Sequence, residues 1–584
     1  MTVHLALHAA DDLVVAGYFV LVLWIGLWFR KRLANVGDYF AAGHQVPWWM
    51  AGISHYMSSF SAFSFIAYAQ MGYMYGWVAV TLFWVSVPAC VAGGAIFARR
   101  WRRARVITPV EFVEMRFDAV LRQTFAWAGI PMKVFDDALK IFATGLFVSV
   151  AAGLDLRWAI CACGVVMVAY TFFGGLWALV VADYVQFLMK SLAILLMLPL
   201  ALHACGGMQA AFRGLPHGFL RPVNGPYGWV YVIGFACVML VSYNASWSLA
   251  QKYYCVPDER AASKAAYLAA ALNVVGAPLM VLPAIVGRHL LPELAARGQT
   301  ADTYLLLVVR LLPEGMVGII LAAMFSATMA AVSADFNAIA GVLTQDIYHR
   351  LIRRDASESG LFRMGRWLTL VLGALTTLLA LLVAMRHREA LFGLMVTVFG
   401  LLMAPTLLPL LAGLTLRWVT TRGAMLGFLA GLGTGIAMLL LQEFWKPAET
   451  LFGNANGFEG FSLIVNTAMT LAGLGIGSRW KRGDQAERSR RAAFLARLDR
   501  PVERPEDAQT DISVTSGILS LSTAGVGLLL AVAGAISHAA LARWIDGGAA
   551  LSMLLIAGLL WQINRRRSHT DSGKSRLAGN HVYR

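Results

Sequence analysis

The chain has 584 residues, of which 59% are hydrophobic and 14% are charged, and its formal net charge is +16. Soluble domains are roughly 45–50% apolar and about 25% charged, so this composition excludes an ordinary soluble enzyme or binding domain. The basic residues lie in short loops beside apolar runs, which argues against nucleic acid as a partner and indicates the lipid bilayer instead.

Apolar runs recur along the whole chain, each long enough to cross about 30 Å of hydrocarbon. The length rule predicts about 15 transmembrane spans, near residues 12–29, 47–72, 77–98, 124–150, 157–174, 178–202, 228–250, 264–291, 312–344, 365–386, 391–416, 423–442, 458–478, 516–537 and 546–563. Clusters of Lys and Arg follow the odd-numbered spans, which places the N-terminus outside and the C-terminus in the cytoplasm. The sequence therefore predicts an all-α polytopic protein of the plasma membrane, the inner membrane in a bacterium.

Two of these spans are unusually polar. The second span carries five serines, Ser54, Ser58, Ser59, Ser61 and Ser64, and the seventh carries Ser242, Tyr243, Asn244, Ser246 and Ser248. If spans two to six and seven to eleven are inverted repeats, the polar spans are the first helix of each. Transporters of this kind have broken first helices that hold ion and solute near the midplane. For any single serine, a close packing contact between helices is the alternative.

The ninth span also carries polar groups among small residues, namely Ser326, Thr328, Ser333, Asp335 and Asn337. Burial of such groups at bilayer depth costs several kcal/mol unless something binds or pairs with them. The span is therefore predicted to face an ion or a polar ligand.

The fourth span contains four charged residues at spacings of three and four, which can neutralise one another along one helix. They are Lys133, Asp136, Asp137 and Lys140. Lys190, in the middle of span six, must also find a partner at that depth, and span four offers one. These five residues form a candidate charge network, for which a structural role is favoured over a substrate site.

No enzymatic chemistry is predicted. The six cysteines are scattered without metal or redox spacing, and His55 is the best lone catalytic candidate, for which a packing role is favoured. The sequence therefore indicates neither an enzyme nor an enzymatic cofactor.

Five segments resemble, in order and spacing, motifs of the sodium:solute symporter family. They are Asp38–His44 with Pro47–Trp49, Thr108–Phe112 with Arg116, Thr171–Ala178 with Asp183 and Gln186, Gln251–Tyr253, and Leu343–Tyr348. The resemblance implies a five-plus-five inverted-repeat core with flanking helices. It also implies secondary active transport, in which a cation, sodium first of all, is coupled to a small polar organic solute by alternating access.

On this basis the chain divides into seven parts. They are an N-terminal extra span with a loop leading into the core (1–46), a first five-helix repeat (47–202), an external loop (203–227), a second five-helix repeat (228–416), two flanking spans (417–478), a basic cytoplasmic linker (479–512), and two C-terminal spans with a short tail (513–584).

The family's shared sodium site, carried over by position, uses the carbonyls of Met57, Phe60 and Ala327. Its paired hydroxyls fall on Ala330 and Ala331, which have none. Three interpretations stay open: a weakened site completed by water, a site shifted towards Ser326, Thr328 or Ser333, or no sodium at this place.

A second sodium site of some family members matches at Asp183 and Ser333, so the resemblance makes Asp183 the leading cation ligand. A proton is the alternative occupant, because a desolvated carboxylate binds protons more readily. If Lys190 reaches the Ala330 and Ala331 region, its ammonium replaces sodium and the carrier is sodium-independent.

The resemblance places the solute against Ser59, Ser64, Ser242, Tyr243 and Asn244. Hydroxyls, an amide and an aromatic face suit a sugar, a sugar acid or a similar polar solute. Two alternatives to sodium symport remain, a proton-coupled or uncoupled carrier and a symporter-like solute sensor that acts through a separate partner. The sequence leaves the oligomeric state open.

Overall fold

The computed structural model describes residues 8–30, 35–313, 315–386, 391–444, 451–480, 483–502 and 512–579. These parts are helices joined by loops, without a β-strand and with one isolated β-bridge between Asn224 and Tyr227. The predicted all-α class is confirmed. Parts of the predicted leading loop (31–34), basic linker (481–482 and 503–511) and tail (580–584) lie outside the described residues.

The first half of the chain forms eleven α-helices. They are α1 (Ala9–Arg30), α2 (Val36–Ala41), α3 (Trp48–Ser58), α4 (Ala62–Tyr75), α5 (Val78–Trp84), α6 (Ser86–Ala92), α7 (Ala98–Ala104), α8 (Glu111–Arg116), α9 (Ala119–Ala152), α10 (Leu156–Ala204) and α11 (Met208–Phe212). A π-helical turn, Gly93–Phe97, joins α6 to α7. Helices α5 to α7 together form one span of membrane-crossing length.

The second half forms twelve described α-helices. They are α12 (Trp229–Ala245), α13 (Trp247–Tyr254), α14 (Glu259–Leu290), α15 (Thr303–Leu311), α16 (Met316–Val342), α17 (Glu358–Arg386), α18 (Leu391–Thr415), α19 (Thr421–Phe444), α20 (Ala455–Trp480), α21 (Gln485–Asp499), α22 (Ile512–Ile536) and α23 (Ala540–Gly579). A π-helical segment, Leu343–Ile352, extends α16.

Within the described residues, 10 helices are long and apolar enough to cross a membrane, or up to 11 when the bent pair α12–α13 counts as one span. The predicted count of about 15 treats α10 as two spans. It also includes the broken pair α3–α4, the charged helix α9 and helix α18. A polytopic bundle is thus confirmed, whereas the exact count and the orientation of the termini stay predictions.

The first polar span is broken, as a polar first helix predicts. Helix α3 ends at Ser58 and α4 begins at Ala62, and the intervening Ser61 is extended with φ −149° and ψ 169°. The Ser64 hydroxyl accepts a hydrogen bond from the Ser61 amide at 3.4 Å. The start of α4 is also tied to α16, because the Ala62 amide donates to Thr328 Oγ1 at 2.7 Å.

The second polar span is broken in a corresponding way. Helix α12 ends at Ala245, Ser246 leaves the helical conformation with ψ 134°, and α13 continues at an angle of 49°. A third irregularity lies inside α10, where Gly175 has φ 53° and ψ −161°. A Cβ there would meet the Tyr39 carbonyl oxygen at 2.9 Å, so only glycine fits this bend without strain.

Helix α16 lies at the centre of the bundle, and every one of its residues is buried. It packs against α1, α3, α9 and α10. Asp11 of α1 caps its start by accepting from the amides of Gly315 at 2.8 Å and Gly318 at 2.7 Å. Asn337 near its end bonds the Tyr39 carbonyl and the Gln251 amide. One buried helix therefore holds elements from both halves of the chain.

Outside this core, α19 and α20 pack closely through glycines. A Cβ on Gly473 of α20 would lie 2.8 Å from the Leu426 carbonyl oxygen and 2.9 Å from Gly427 Cα. A Cβ on Gly475, two residues further along the same helix, would meet nothing within 4 Å. The contrast reflects the small-residue packing that brings helix backbones together in membranes.

We expect Gly473→Ala to lower the midpoint of thermal unfolding, since overpacking against backbone costs about 1–3 kcal/mol. Gly475→Ala is the matched control in the same helix, and its midpoint should stay level or rise slightly with helix propensity. Intrinsic fluorescence of purified protein in detergent measures both. Equal midpoints for the two variants would contradict this packing.

We also expect Thr328→Val to lower the unfolding midpoint, because it leaves the buried Ala62 amide without an acceptor, at about 1–3 kcal/mol. Thr376→Val in α17 is the control, since that buried hydroxyl donates to the Leu372 carbonyl of its own helix. If both variants unfold at the same temperature, Thr328 does not hold the break.

Candidate functional site

The two helix breaks lie on a common cavity, which has about 1250 Å³ of empty space including its open mouth. Its wall is rich in serines from both breaks and their neighbours, namely Ser58, Ser59, Ser61, Ser64, Ser86, Ser242, Ser246 and Ser248. Aromatic rings complete it, among them Phe60, Tyr68, Phe83, Phe235 and Tyr243. Hydroxyls beside aromatic faces form a wall suited to a small polar solute.

Four of the five predicted solute residues line this cavity: Ser59, Ser64, Ser242 and Tyr243. Asn244 does not, because its side-chain amide turns into the bundle and donates to the carbonyls of Ala89 at 2.9 Å and Leu240 at 2.8 Å. The amide thus supports the second break. Asn244 follows Tyr243 directly along the chain, and neighbouring residues of a helix point to different sides of it.

The cavity serines differ in what they already bind. Ser59 Oγ donates to the Tyr56 carbonyl at 2.7 Å, so it closes the last turn of α3. Ser58 Oγ, buried on the same wall, has no hydrogen-bond partner among the residues that the structure describes. The sequence places Ser58 among the serines of its span and does not single it out as a solute contact.

The charges of α9 meet a fifth partner from α16. Lys133 Nζ lies 3.0 Å from Asp335 Oδ1, and Lys140 Nζ lies 3.2 Å from Asp335 Oδ2. Within α9, Lys140 Nζ is also 2.8 Å from Asp136 Oδ2 and 3.2 Å from Asp137 Oδ1. We call these residues, Lys133, Asp136, Asp137, Lys140 and Asp335, the α9–α16 charge cluster.

The cluster forms part of the cavity wall. Lys133, Asp136, Lys140 and Asp335 all line the cavity, while Asp137 lies behind them. Three carboxylates face two ammoniums, which leaves a formal charge of −1, and carboxylate oxygens of the three aspartates lie within 4.8 Å of one another. The sequence favours a purely structural network, but the structure gives this cluster a place in the candidate binding site.

Lys190 lies outside the cluster. Its ammonium is buried and sits 3.3 Å from the centroid of the Phe60 ring and 4.1 Å from that of Tyr56. Among the described residues it has neither a hydrogen-bond acceptor nor a carboxylate partner. Lys190 therefore lies on the aromatic faces at the first break, instead of pairing with α9 as the sequence suggests.

The predicted ion ligands Asp183 and Ser333 are both buried, on the packed helices α10 and α16. Ser54 of α3 donates its hydroxyl to Asp183 Oδ2. Ser333 Oγ has no hydrogen-bond partner in the described part of the chain. The oxygens of a buried carboxylate and of a hydroxyl without a hydrogen-bond partner can both coordinate a cation.

The positions that match the family's shared sodium site supply fewer oxygen ligands. The Met57 carbonyl accepts from the Phe60 amide at 3.1 Å within the tight end of α3. Ala327, Ala330 and Ala331 are buried on α16, and the last two supply no side-chain oxygen.

Comparisons with known proteins bear on the family and the fold of the chain. The sequence model of the sodium:solute symporter family matches residues 39–431, from α2 into α19. The chain is 26% identical over 480 residues to solute carrier family 5 member 4B of Mus musculus, covering 74% of this chain and 73% of that protein. It is 25% identical over 434 residues to the sodium/sialic acid symporter NanT of Aliivibrio fischeri, covering 71% and 85%.

The solved structure of a Na+-coupled sialic acid symporter in a substrate-bound outward-open state matches this fold with a TM-score of 0.69 at 20% identity. The match covers 81% of this chain and 98% of that one, so it supports the predicted fold class. The family match spans most of the chain and the related proteins are transporters. The chain is thus a multi-pass membrane transport protein, not an enzyme, and it belongs to the sodium:solute symporter family.

Proposed function

We propose that the protein is a secondary active symporter that couples a cation, sodium, to the movement of one small polar organic solute. The observation that carries this proposal is the cavity at the two helix breaks, lined by four of the five predicted solute residues. Broken helices around a polar cavity are how transporters of inverted-repeat architecture hold solute and ion.

The nature of the solute follows from the wall. Serine hydroxyls donate and accept hydrogen bonds, and Tyr68 and Tyr243 offer apolar ring faces beside them. Named relatives are cotransporters of glucose, sialic acid and myo-inositol, all hydroxyl-rich solutes. We therefore propose a hydroxylated solute of sugar-like size.

The coupling cation is assigned to Asp183 and Ser333. Hard cations prefer oxygen ligands. Among the described residues, the buried Asp183 carboxylate accepts a hydrogen bond from Ser54, and the Ser333 hydroxyl has no partner. Because α3, α10 and α16 pack together, a cation at this place would join three helices. Binding to one transport state more tightly than to the other would then drive the cycle.

The electrical driving force adds to this coupling. A membrane potential of 100 mV contributes about 2.3 kcal/mol for each elementary charge that crosses. In alternating access, cation binding favours the outward-open state, solute closes the outer gate, and the bundle then rocks to release both inside.

A second candidate is a proton-coupled or uncoupled carrier, which the position of Lys190 favours. Its ammonium lies against Phe60, the residue whose carbonyl is one of the shared sodium ligands by resemblance. The paired hydroxyls of that site are replaced by Ala330 and Ala331. A buried ammonium without a counter-ion is costly, and a lysine that loses its proton there removes the cost.

We expect Asp183→Asn to abolish the stabilisation that sodium gives to the purified protein, because the variant loses the charged ligand. The midpoint of thermal unfolding in sodium chloride and in choline chloride measures this effect. Asp12→Asn, at an exposed position of α1, is the control and should respond to sodium like the wild type. A wild-type response in Asp183→Asn would contradict the assigned site.

Lys190→Met separates the two candidates. If sodium at Asp183 drives transport, the variant still accumulates solute under an imposed sodium gradient. If Lys190 replaces sodium, the variant loses accumulation under an imposed proton gradient, while Lys190→Arg keeps the charge and more of the response. Uptake into proteoliposomes under each gradient is the measurement. We expect sodium-driven uptake to survive in Lys190→Met, and loss of proton-driven uptake in that variant would favour the second candidate.

A further inference from the structure

The formal charges of the α9–α16 charge cluster do not balance. Lys140 Nζ is already shared among Asp136, Asp137 and Asp335, and Lys133 Nζ is 3.0 Å from Asp335 and 3.9 Å from Asp136. Three carboxylates thus share two ammoniums. Lys190 does not supply the missing positive charge, because its ammonium lies on the rings of Tyr56 and Phe60.

Two carboxylate oxygens of the cluster are left over. Asp136 Oδ1 and Asp137 Oδ2 have no hydrogen-bond partner among the described residues. The two residues are only 2% and 0% exposed. A buried carboxylate oxygen without a donor is expensive, so something else is expected to bind there.

Of these two, Asp136 is the one that the cavity reaches. It lines the cavity together with Ser58, whose buried hydroxyl also lacks a hydrogen-bond partner. Asp136 and Ser58 thus both line the cavity, and each carries a buried polar atom without a hydrogen-bond partner among the described residues.

The chemistry of this place favours an ammonium group over a metal ion. A metal ion needs oxygen ligands on several sides, but the two lysine ammoniums already lie within 3.2 Å of carboxylate oxygens of the cluster. An ammonium at the end of a solute approaches from the cavity alone. Its three N–H donors match acceptors on one side.

We propose that the transported solute carries a protonated amine, which Asp136 Oδ1 binds from the cavity and which brings the charge of the cluster to zero. This inference rests on the proposed function and names its solute class: amine-bearing polyols such as amino sugars and amino alcohols. The hydroxyls of the solute then lie towards Ser59, Ser64 and Ser242, and its apolar face towards Tyr243.

The test uses matched pairs that differ in the amine. Glucosamine is compared with glucose and with N-acetylglucosamine, whose nitrogen is uncharged, and 2-amino-1,3-propanediol is compared with glycerol. Binding to the full-length protein in detergent is followed by the thermal unfolding midpoint in sodium buffer. We expect the amine of at least one pair to raise the midpoint more than its neutral partners.

The variant Asp136→Asn should weaken binding of that amine at least about tenfold, since it removes one partner of a buried charged contact. Binding is measured as the shift from each variant's own midpoint without solute, because Asp136→Asn also loses the contact with Lys140 at 2.8 Å. Asp335→Asn is the contrast. It loses the contacts of both lysines at once and should unfold earlier.

Three results would overturn the inference. The first two leave the proposed function intact, and the third keeps the symport but moves its cation site away from Asp183. The first is that neutral solutes stabilise the protein as well as their amines do. The second is that Asp136→Asn binds the amine as tightly as the wild type, which means that a proton alone neutralises the cluster. The third is a sodium response lost in Asp136→Asn but kept in Asp183→Asn, which makes the cluster an ion site. If no solute of either kind binds and no sodium-driven uptake occurs, the inference and the proposed function fail together.

Discussion

The structure depends on the hydrogen bonds and ion pairs that satisfy the polar groups of one buried helix, α16. Every residue of α16 is buried, yet it carries hydroxyls, an amide and a carboxylate. Three of these polar groups reach different neighbours: Thr328 holds the start of α4, Asp335 holds the lysines of α9, and Asn337 holds Gln251 of α13. Polar residues are costly to bury in a bilayer unless they are paired. Here the paired polar residues of α16 connect the two halves of the chain.

The same physics explains which groups are left for ligands. Polar groups that bond across helices hold those helices together. Buried polar groups without a partner mark candidate ligand sites. Ser333 is such a group on α16 and Ser58 on α3, while Asp136 supplies a free carboxylate oxygen on α9. Under the proposed function these groups divide between two places, Ser333 with Asp183 for the ion and Ser58 with Asp136 for the solute. Coupling between the two would then involve α16, which carries Ser333 and Asp335.

The sequence predicts the architecture well because its signals are local. Serine-rich stretches in otherwise apolar spans predict both breaks, and spacings of three and four predict that Lys140 pairs with Asp136 and Asp137. Contacts between distant segments carry no such periodic signal. The sequence does not reveal that Asp335 joins the cluster or that Thr328 accepts from the start of α4. It also does not reveal that Lys190 lies on aromatic rings instead of beside carboxylates. These contacts depend on how the helices are rotated against one another.

The cap at the start of α16 has a consequence for the parts that lie outside the family match. Asp11 binds two amides of that end, and α1 in turn packs against α10 and α22, which pairs with α23. A shift of α16 along its axis would break both hydrogen bonds of a buried carboxylate. The N-terminal helix therefore braces the central helix directly, and the C-terminal hairpin supports it through α1.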